Sequence, residues 1–312
     1  MIERRTIVFP DERLGGVEHP AFEARGSRDG PHVALIGGIH GCEYSSIAAV
    51  TRFMNGLDPD ELAGSITAVP VVSMQSFVHR SPFVVPVDGK NLNRSFPGTY
   101  DGTYTDALAR GIFDELIASA DILIDLHGGD LVEALEPFAI YSGGPAEEAA
   151  HALAVAFGLR YVVRQEPADG LSGMTSDAAA AAGIPAIIAE AGGRGQLEEE
   201  AVALLVEGVQ NALRSLEMLP GPVRGPHEDM WFVGAFDWLR CRDAGWWEAT
   251  VGVGAAVSGG DLLGRVKTLY GDLLEEIRAP RDGTVLFLTT SAAVSDDGLL
   301  LGLGADLAPV VS

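Results

Sequence analysis

Three short apolar runs in this chain each end in a residue able to bind a metal or move a proton, and glycines follow each one. His32-Val33-Ala34-Leu35-Ile36 leads into Gly37-Gly38-Ile39-His40-Gly41-Cys42-Glu43. Asp121-Ile122-Leu123-Ile124-Asp125-Leu126 delivers His127 ahead of Gly128-Gly129. Ile184-Pro185-Ala186-Ile187-Ile188-Ala189 delivers Glu190 ahead of Ala191-Gly192-Gly193. Apolar runs of this length bounded by glycine read as buried strands. In open α/β sheets, ligands sit outside the carboxyl ends of the strands. Three strands that each bring a metal ligand or a base to that edge form a catalytic pattern.

His40 and Glu43 stand three residues apart where the first strand ends. Imidazole nitrogen and carboxylate oxygen are both zinc donors, and that spacing lets two side chains converge. Alone, H-x-x-E reads equally well as a surface loop. With His127 it makes a His₂Glu zinc site, one zinc per chain, with a position left for water. Glu190 is then the spare carboxylate, suited to general base catalysis. Asp125 shares a strand face with His127; it reads either as a hydrogen-bond partner of a ligand or as a wall residue. Cys42 reads as a small buried residue between two ligands rather than as a ligand or nucleophile.

Charge narrows the partners. The 312 residues carry a net charge of −23. That excess argues against nucleic acid or anionic membrane. An anionic substrate must therefore meet a local arginine cluster, since Lys90 and Lys267 are the only lysines. Two cysteines far apart give no disulfide framework. No apolar run approaches the 18 residues of a membrane span, and the short run Thr6-Ile7-Val8-Phe9 behind the first five residues is no apolar core of a signal sequence. The expectation is a soluble, cytoplasmic protein.

Strands alternate with helices up to about residue 216, which implies an α/β sheet covered on both faces. The spacing predicts an edge strand or hairpin within residues 1–30 that introduces the substrate-facing side. It predicts helices over 44–54, 105–118, 147–157, 174–182 and 197–216, and further strands over 65–72, 137–141 and 161–163. Residues 73–103 show little periodicity, and their prolines and glycines suggest a rigid, functional loop. That loop holds His79, Arg80, Asn91, Asn93 and Arg94. Arg194, on the glycine-rich loop past Glu190, is a candidate for substrate charge.

Leu219-Pro220-Gly221-Pro222-Val223-Arg224-Gly225-Pro226 is the clear linker. Beyond it lie short alternating strands with glycine spacing. The division is a catalytic α/β domain over 1–219 and a small all-β, barrel-like domain over 226–312. Its turns at 257–264 and 277–285 resemble those of biotinyl and lipoyl domains. No Met-Lys-Met-like hairpin is present, so no attached cofactor is expected at Lys267. The module is expected to shape the active-site mouth or a homo-oligomer interface, and Trp231, Trp238, Trp246 and Trp247 read as core and rim residues.

GGIHGCE, the Asn91-Leu92-Asn93-Arg94 stretch, DLHGG and the strand-terminal Glu190 together resemble the succinylglutamate desuccinylase/aspartoacylase family, which is related to the zinc carboxypeptidases. The resemblance spans roughly residues 30–200 and is nearest to bacterial acetyl-diaminobutyrate deacetylases. It implies a carboxypeptidase-like mixed sheet flanked by helices. It also implies zinc-dependent hydrolysis of the amide of a small N-acylated amino acid. Asn93-Arg94 matches the pair that holds a substrate carboxylate. Arg80 is the positional choice for the arginine that polarises the scissile carbonyl. Relatives acting on acidic amino acids place an arginine some ten residues before the catalytic glutamate. Residues 172–189 contain none, which leaves room for a neutral or basic amino acid. The alternative is a zinc carboxypeptidase acting on short peptides.

Overall fold

The computed structural model describes residues 1–165, 172–224 and 228–310. In chain order, β1 (Ile2–Val8) and β2 (Glu18–Arg25) precede β3 (Arg28–Gly37) and α1 (Tyr44–Gly56). Then come β4 (Ala63–Val69), α2 (Met74–His79), α3 (Tyr104–Ile112), β5 (Ile122–His127), β6 (Glu133–Leu135) and β7 (Phe138–Ser142). α4 (Glu147–Phe157), β8 (Tyr161–Gln165), α5 (Thr175–Ala181), β9 (Ala186–Glu190) and α6 (Glu199–Ser215) complete the α/β part. The rest of the described chain is β structure: β10 (Trp231–Arg240), β11 (Gly245–Ala249), β12 (Ala256–Val257), β13 (Leu262–Lys267), β14 (Leu273–Arg278), β15 (Gly283–Thr289), β16 (Ala293–Val294) and β17 (Leu299–Pro309).

The three apolar runs lie side by side. β3, β5 and β9 are neighbouring parallel strands, with Ile36 opposite Asp125 and His127 opposite Glu190. Side chains alternate along a strand, so parity decides which layer each residue enters. Val33 and Leu35 pack in one core with Ile124, Leu126 and Ile187, covered by α1, α4 and α6. Ala34, Ile36 and Leu123 pack on the other face against α3 and α5. Asp125 and His127 share parity with Leu123, which places them on the α5 side. Burial on both faces explains why these strands read as unbroken apolar runs.

The expected hairpin in residues 1–30 is present, as β1 against β2 with Ile2 opposite Ala24. It closes the far edge of the main sheet, whose strand order is β1-β2-β4-β3-β5-β9-β7-β8-β10-β17-β15-β12. None of these first 30 residues reaches the cavity described below, so the hairpin does not introduce the substrate. The aperiodic stretch 73–103 contains α2, too short at six residues to show a period in sequence. The helix expected over 105–118 runs as α3 and then widens into a π-helical turn over Phe113–Ile117.

The C-terminal strands form two layers around one core. β14-β13-β11-β16 make a second sheet. Trp247, Leu263 and Val266 from it pack with Val285, Leu301 and Leu303 of the main sheet. Gly225 and Pro226, at the end of the expected linker, lie outside the described residues. The C-terminal strands also continue the catalytic sheet, because β10 pairs in parallel with β8, with Trp231 opposite Tyr161. Val233 and Leu286 share a core with Phe138, Tyr161 and Ile188. Among the described residues, no helix is long and apolar enough to cross a membrane.

Candidate active site

At the carboxyl end of β3 the chain must leave the sheet at once. Gly38 takes φ +62, where a Cβ would sit 2.9 Å from the Val71 Cα. At Gly41 a Cβ would fall far inside van der Waals contact with the Phe77 backbone of α2. The space left by these glycines is thus filled by the protein's own backbone. Between them the loop presents His40, and Glu43 follows at the head of α1.

Three side chains meet here. His40 Nδ1 lies 2.6 Å from Glu43 Oε1, and His127 Nδ1 lies 3.1 Å from Glu43 Oε2. One donor atom from each falls within 4.8 Å of the others. The remote imidazole nitrogens are engaged as well. His40 Nε2 donates to Asn91 Oδ1 at 3.0 Å, and His127 Nε2 donates to Asp125 Oδ2 at 3.1 Å. Asp125 Oδ2 also accepts from the Thr175 hydroxyl of α5 at 2.6 Å. Acceptors on both remote nitrogens orient the two rings, so both Nδ1 atoms face Glu43, where each can release its proton to bind a metal. Two oriented imidazoles and a carboxylate are a donor set that fits zinc. Of the two readings of Asp125, the hydrogen-bond partner of a ligand is the one this geometry supports.

The electrostatics agree. Burial alone would raise the Glu43 carboxyl, but the charges and hydrogen bonds of His127 and His40 hold it at about 2. Burial alone would lower His127, but Asp125 and Glu43 push it well above its usual value. Such a cluster of two bases around a carboxylate is stabilised by a cation at its centre. Beside it, burial pushes Glu190 up to about 8, with the charge of His127 opposing. Cys42 is a buried thiol raised to about 11 by burial, a packing residue rather than a nucleophile.

His40, Glu43 and Glu190 line a cavity of about 710 Å³. Asn91, Asn93 and Arg94 line it too. Asn93 Oδ1 accepts from the Thr175 amide at 3.1 Å, which turns its NH₂ away from that contact. Arg94 stays water-accessible in the open cavity and donates to the Asn93 carbonyl at 2.6 Å.

Two expected arginines are not brought to this wall. Arg80 caps the end of α2 with φ 52 and is exposed. Arg194 is exposed with φ 57 and pairs with Glu198 at 3.0 Å, so its charge is spent on the surface. Neither lines the cavity. His79 is an exposed helix residue whose Nδ1 donates to the Gln75 carbonyl at 2.9 Å, and it does not join the metal cluster. Conversely, the C-terminal β region supplies wall residues that sequence reasoning did not select: Trp238, Arg240 and Phe287 on strands, and Asp297 in the turn before β17. Arg240 donates to the Asp297 carbonyl at 2.7 Å. Trp238 packs edge-on to Phe287, with ring centroids 5.6 Å apart. Of the other tryptophans, Trp247 is buried and Trp246 exposed. Glu133, on the short β6, completes the acidic part of the wall.

Comparison with known proteins places the fold and the family. Residues 29–216 match the model of the succinylglutamate desuccinylase/aspartoacylase catalytic domain. The N-alpha-acetyl-L-2,4-diaminobutyric acid deacetylase of Halomonas elongata is 30% identical over 86% of this chain and 80% of its own length. The ectoine utilization protein EutE (DoeB) of Ruegeria pomeroyi superposes with a TM-score of 0.85 at 26% identity, over 97% of this chain and 95% of that one. A succinylglutamate desuccinylase/aspartoacylase from Rhodobacter sphaeroides also reaches 0.85, at 25% identity, over 100% of this chain and 96% of that one. With the motifs, the site geometry and these matches in agreement, the chain belongs to the succinylglutamate desuccinylase/aspartoacylase family.

Proposed function

We propose that this chain is a zinc-dependent deacylase that cleaves the amide bond of a small N-acylated amino acid. The observation that carries the reading is the meeting of the buried His127 with His40 and Glu43, which line the same cavity as Glu190, Asn93 and Arg94. His40, Glu43 and His127 would hold the metal. When bound, zinc supplies Lewis-acid activation, lowering the pKa of its water to about 7.

The remaining work falls to side chains. Glu190 takes the proton of the attacking water and returns it to the leaving amine. Its partly desolvated position keeps that carboxylate basic enough to accept the proton. Arg94 pairs with a substrate carboxylate, and the Asn93 NH₂ adds a hydrogen bond. β9 fixes the position of Glu190, and the bond from the Thr175 amide fixes Asn93.

Support for a deacylase over a carboxypeptidase comes from the deacetylase relative and from the wall built by Trp238, Phe287 and Arg240. The test is a panel assay of zinc-loaded protein with N-acetylated amino acids and short peptides. Turnover of N-acetylamino acids with intact peptides is expected. Turnover of peptides alone would favour the carboxypeptidase, and none at all would overturn both readings.

A further inference from the structure

The cavity holds more acid than the chemistry described above uses. Four carboxylates line it: Glu43, Glu133, Glu190 and Asp297. Glu43 belongs to the metal cluster, and Glu190 is the base. Asp297 is near Arg240, with 3.6 Å between Oδ2 and the guanidinium. Glu133 has no such assignment. Its Oε2 accepts one hydrogen bond, from the Asp130 amide at 2.9 Å. Among the described residues no lysine, arginine or histidine forms an ion pair with it.

The local fold holds this carboxylate firmly. Glu133 begins β6, which pairs with β15 so that Glu133 lies opposite Thr289 and Leu135 opposite Phe287. Its amide donates to the Asp130 carbonyl at 3.1 Å, and its carbonyl accepts from the Arg194 amide at 2.7 Å. Asp130 is itself fully buried and fixed by the Phe83 and Leu131 amides at 2.7 and 2.6 Å. The side chain is therefore placed on the cavity wall by a rigid frame. Burial, and the charges of Glu43, Asp130 and Glu190, push its carboxyl well above the usual range. A cation beside it would reverse that penalty. Of the two arginines on the wall, Arg94 senses the charge of Glu133 without pairing with it and is assigned above to the substrate carboxylate, and Arg240 is held by Asp297.

We propose that Glu133 is a specificity residue that receives a cationic group, an ammonium on the side chain of the substrate's amino acid. The inference rests on the deacylase reading of the same cavity and refines its substrate class. Arg94 and Glu133 give the cavity one positive and one negative pole. An N-acyl amino acid with a carboxylate and a side-chain amine matches both. Acidic amino acids would set a second carboxylate against Glu133.

The test compares wild type with Glu133→Gln, which keeps an acceptor for the Asp130 amide but removes the charge. Both zinc-loaded proteins are assayed with Nα-acetyl-L-2,4-diaminobutyrate and with the neutral N-acetyl-L-2-aminobutyrate. For the cationic substrate, kcat/KM is expected to fall about 100-fold, mainly through KM. For the neutral one it should change by less than about threefold. An equal fall for both substrates, or a wild type indifferent to the amine, overturns the inference and leaves the deacylase reading intact. If the wild type hydrolyses no N-acylamino acid, that reading fails instead. Calorimetry with L-2,4-diaminobutyrate and L-2-aminobutyrate then still decides the role of Glu133. A preference for the diamine that disappears in Glu133→Gln supports it, and no preference in the wild type overturns it.

Discussion

His127 and Glu190 are register partners on adjacent parallel strands, β5 and β9, so the metal-ligand candidate and the proposed base leave the sheet together. Their side chains share a face, and β3 beside them delivers His40 and Glu43 within one turn of chain. The active-site geometry is thus a consequence of strand register. A one-residue slip of β9 would turn Glu190 to the opposite face.

The hydrogen bond from His127 Nε2 to Asp125 Oδ2 makes a prediction about metal affinity. Asp125→Asn weakens the orienting acceptor without opening a cavity. Zinc affinity is expected to drop about 10- to 100-fold, as for other partners of ligating histidines. Chelator competition measures it, and an unchanged dissociation constant would mean that Asp125 only lines the site.

Gly41 makes a stability prediction. An alanine Cβ there collides with the Phe77 backbone, which cannot swing aside as a side chain can. Gly41→Ala should cost about 1–3 kcal/mol and weaken zinc binding by displacing His40. Thermal melts with and without zinc check both effects. A wild-type Tm would show that α2 shifts freely.

The metal-free protein should lose stability as pH rises. Burial raises Glu190 from 4.5 to about 8 in the folded chain. A carboxyl with a raised folded pKa contributes fully below its unfolded value near 4.5, and the contribution is lost as pH approaches 8. The loss is on the order of a few kcal/mol. His40 and His127, raised mainly by neighbouring carboxylates against the opposing effect of burial, act in the same direction. Glu190→Gln should therefore flatten the fall in Tm of chelator-stripped protein between pH 4.5 and 8. An equally steep fall in wild type and variant would assign the slope elsewhere.

The division into a catalytic domain over 1–219 and a β domain over 226–312 is proposed on the proline-glycine linker and the change to strand spacing. The shared sheet and core predict that the two parts unfold together. Calorimetry of the full chain should give a single unfolding transition. Two separated transitions would show that the β10–β8 pairing contributes little.

Much of the site was legible because its residues sit at the ends of strands buried on both faces, where apolar runs and glycines mark the boundaries. The helix layers followed from the 3.6-residue period of α1, α4 and α6. Glu133, Trp238 and Arg240 were not legible. Their approach to the site depends on β6 pairing with β15 and β10 with β8, contacts more than 60 residues apart in sequence. Arg80 and Arg194 stand off the cavity wall for a local reason. Both adopt left-handed backbone conformations with exposed side chains, and Arg194 takes Glu198 as its partner. Spacing in sequence carries no signal for that direction.

The most direct test of the central claim is turnover by Glu190→Gln with zinc content measured on the same sample. The variant is expected to keep one zinc per chain through His40, Glu43 and His127, while N-acylamino acid hydrolysis falls about 10²- to 10⁴-fold. His127→Ala should lose the zinc. A Glu190→Gln protein that turned over normally, or that lost its zinc while His127→Ala kept it, would contradict the account.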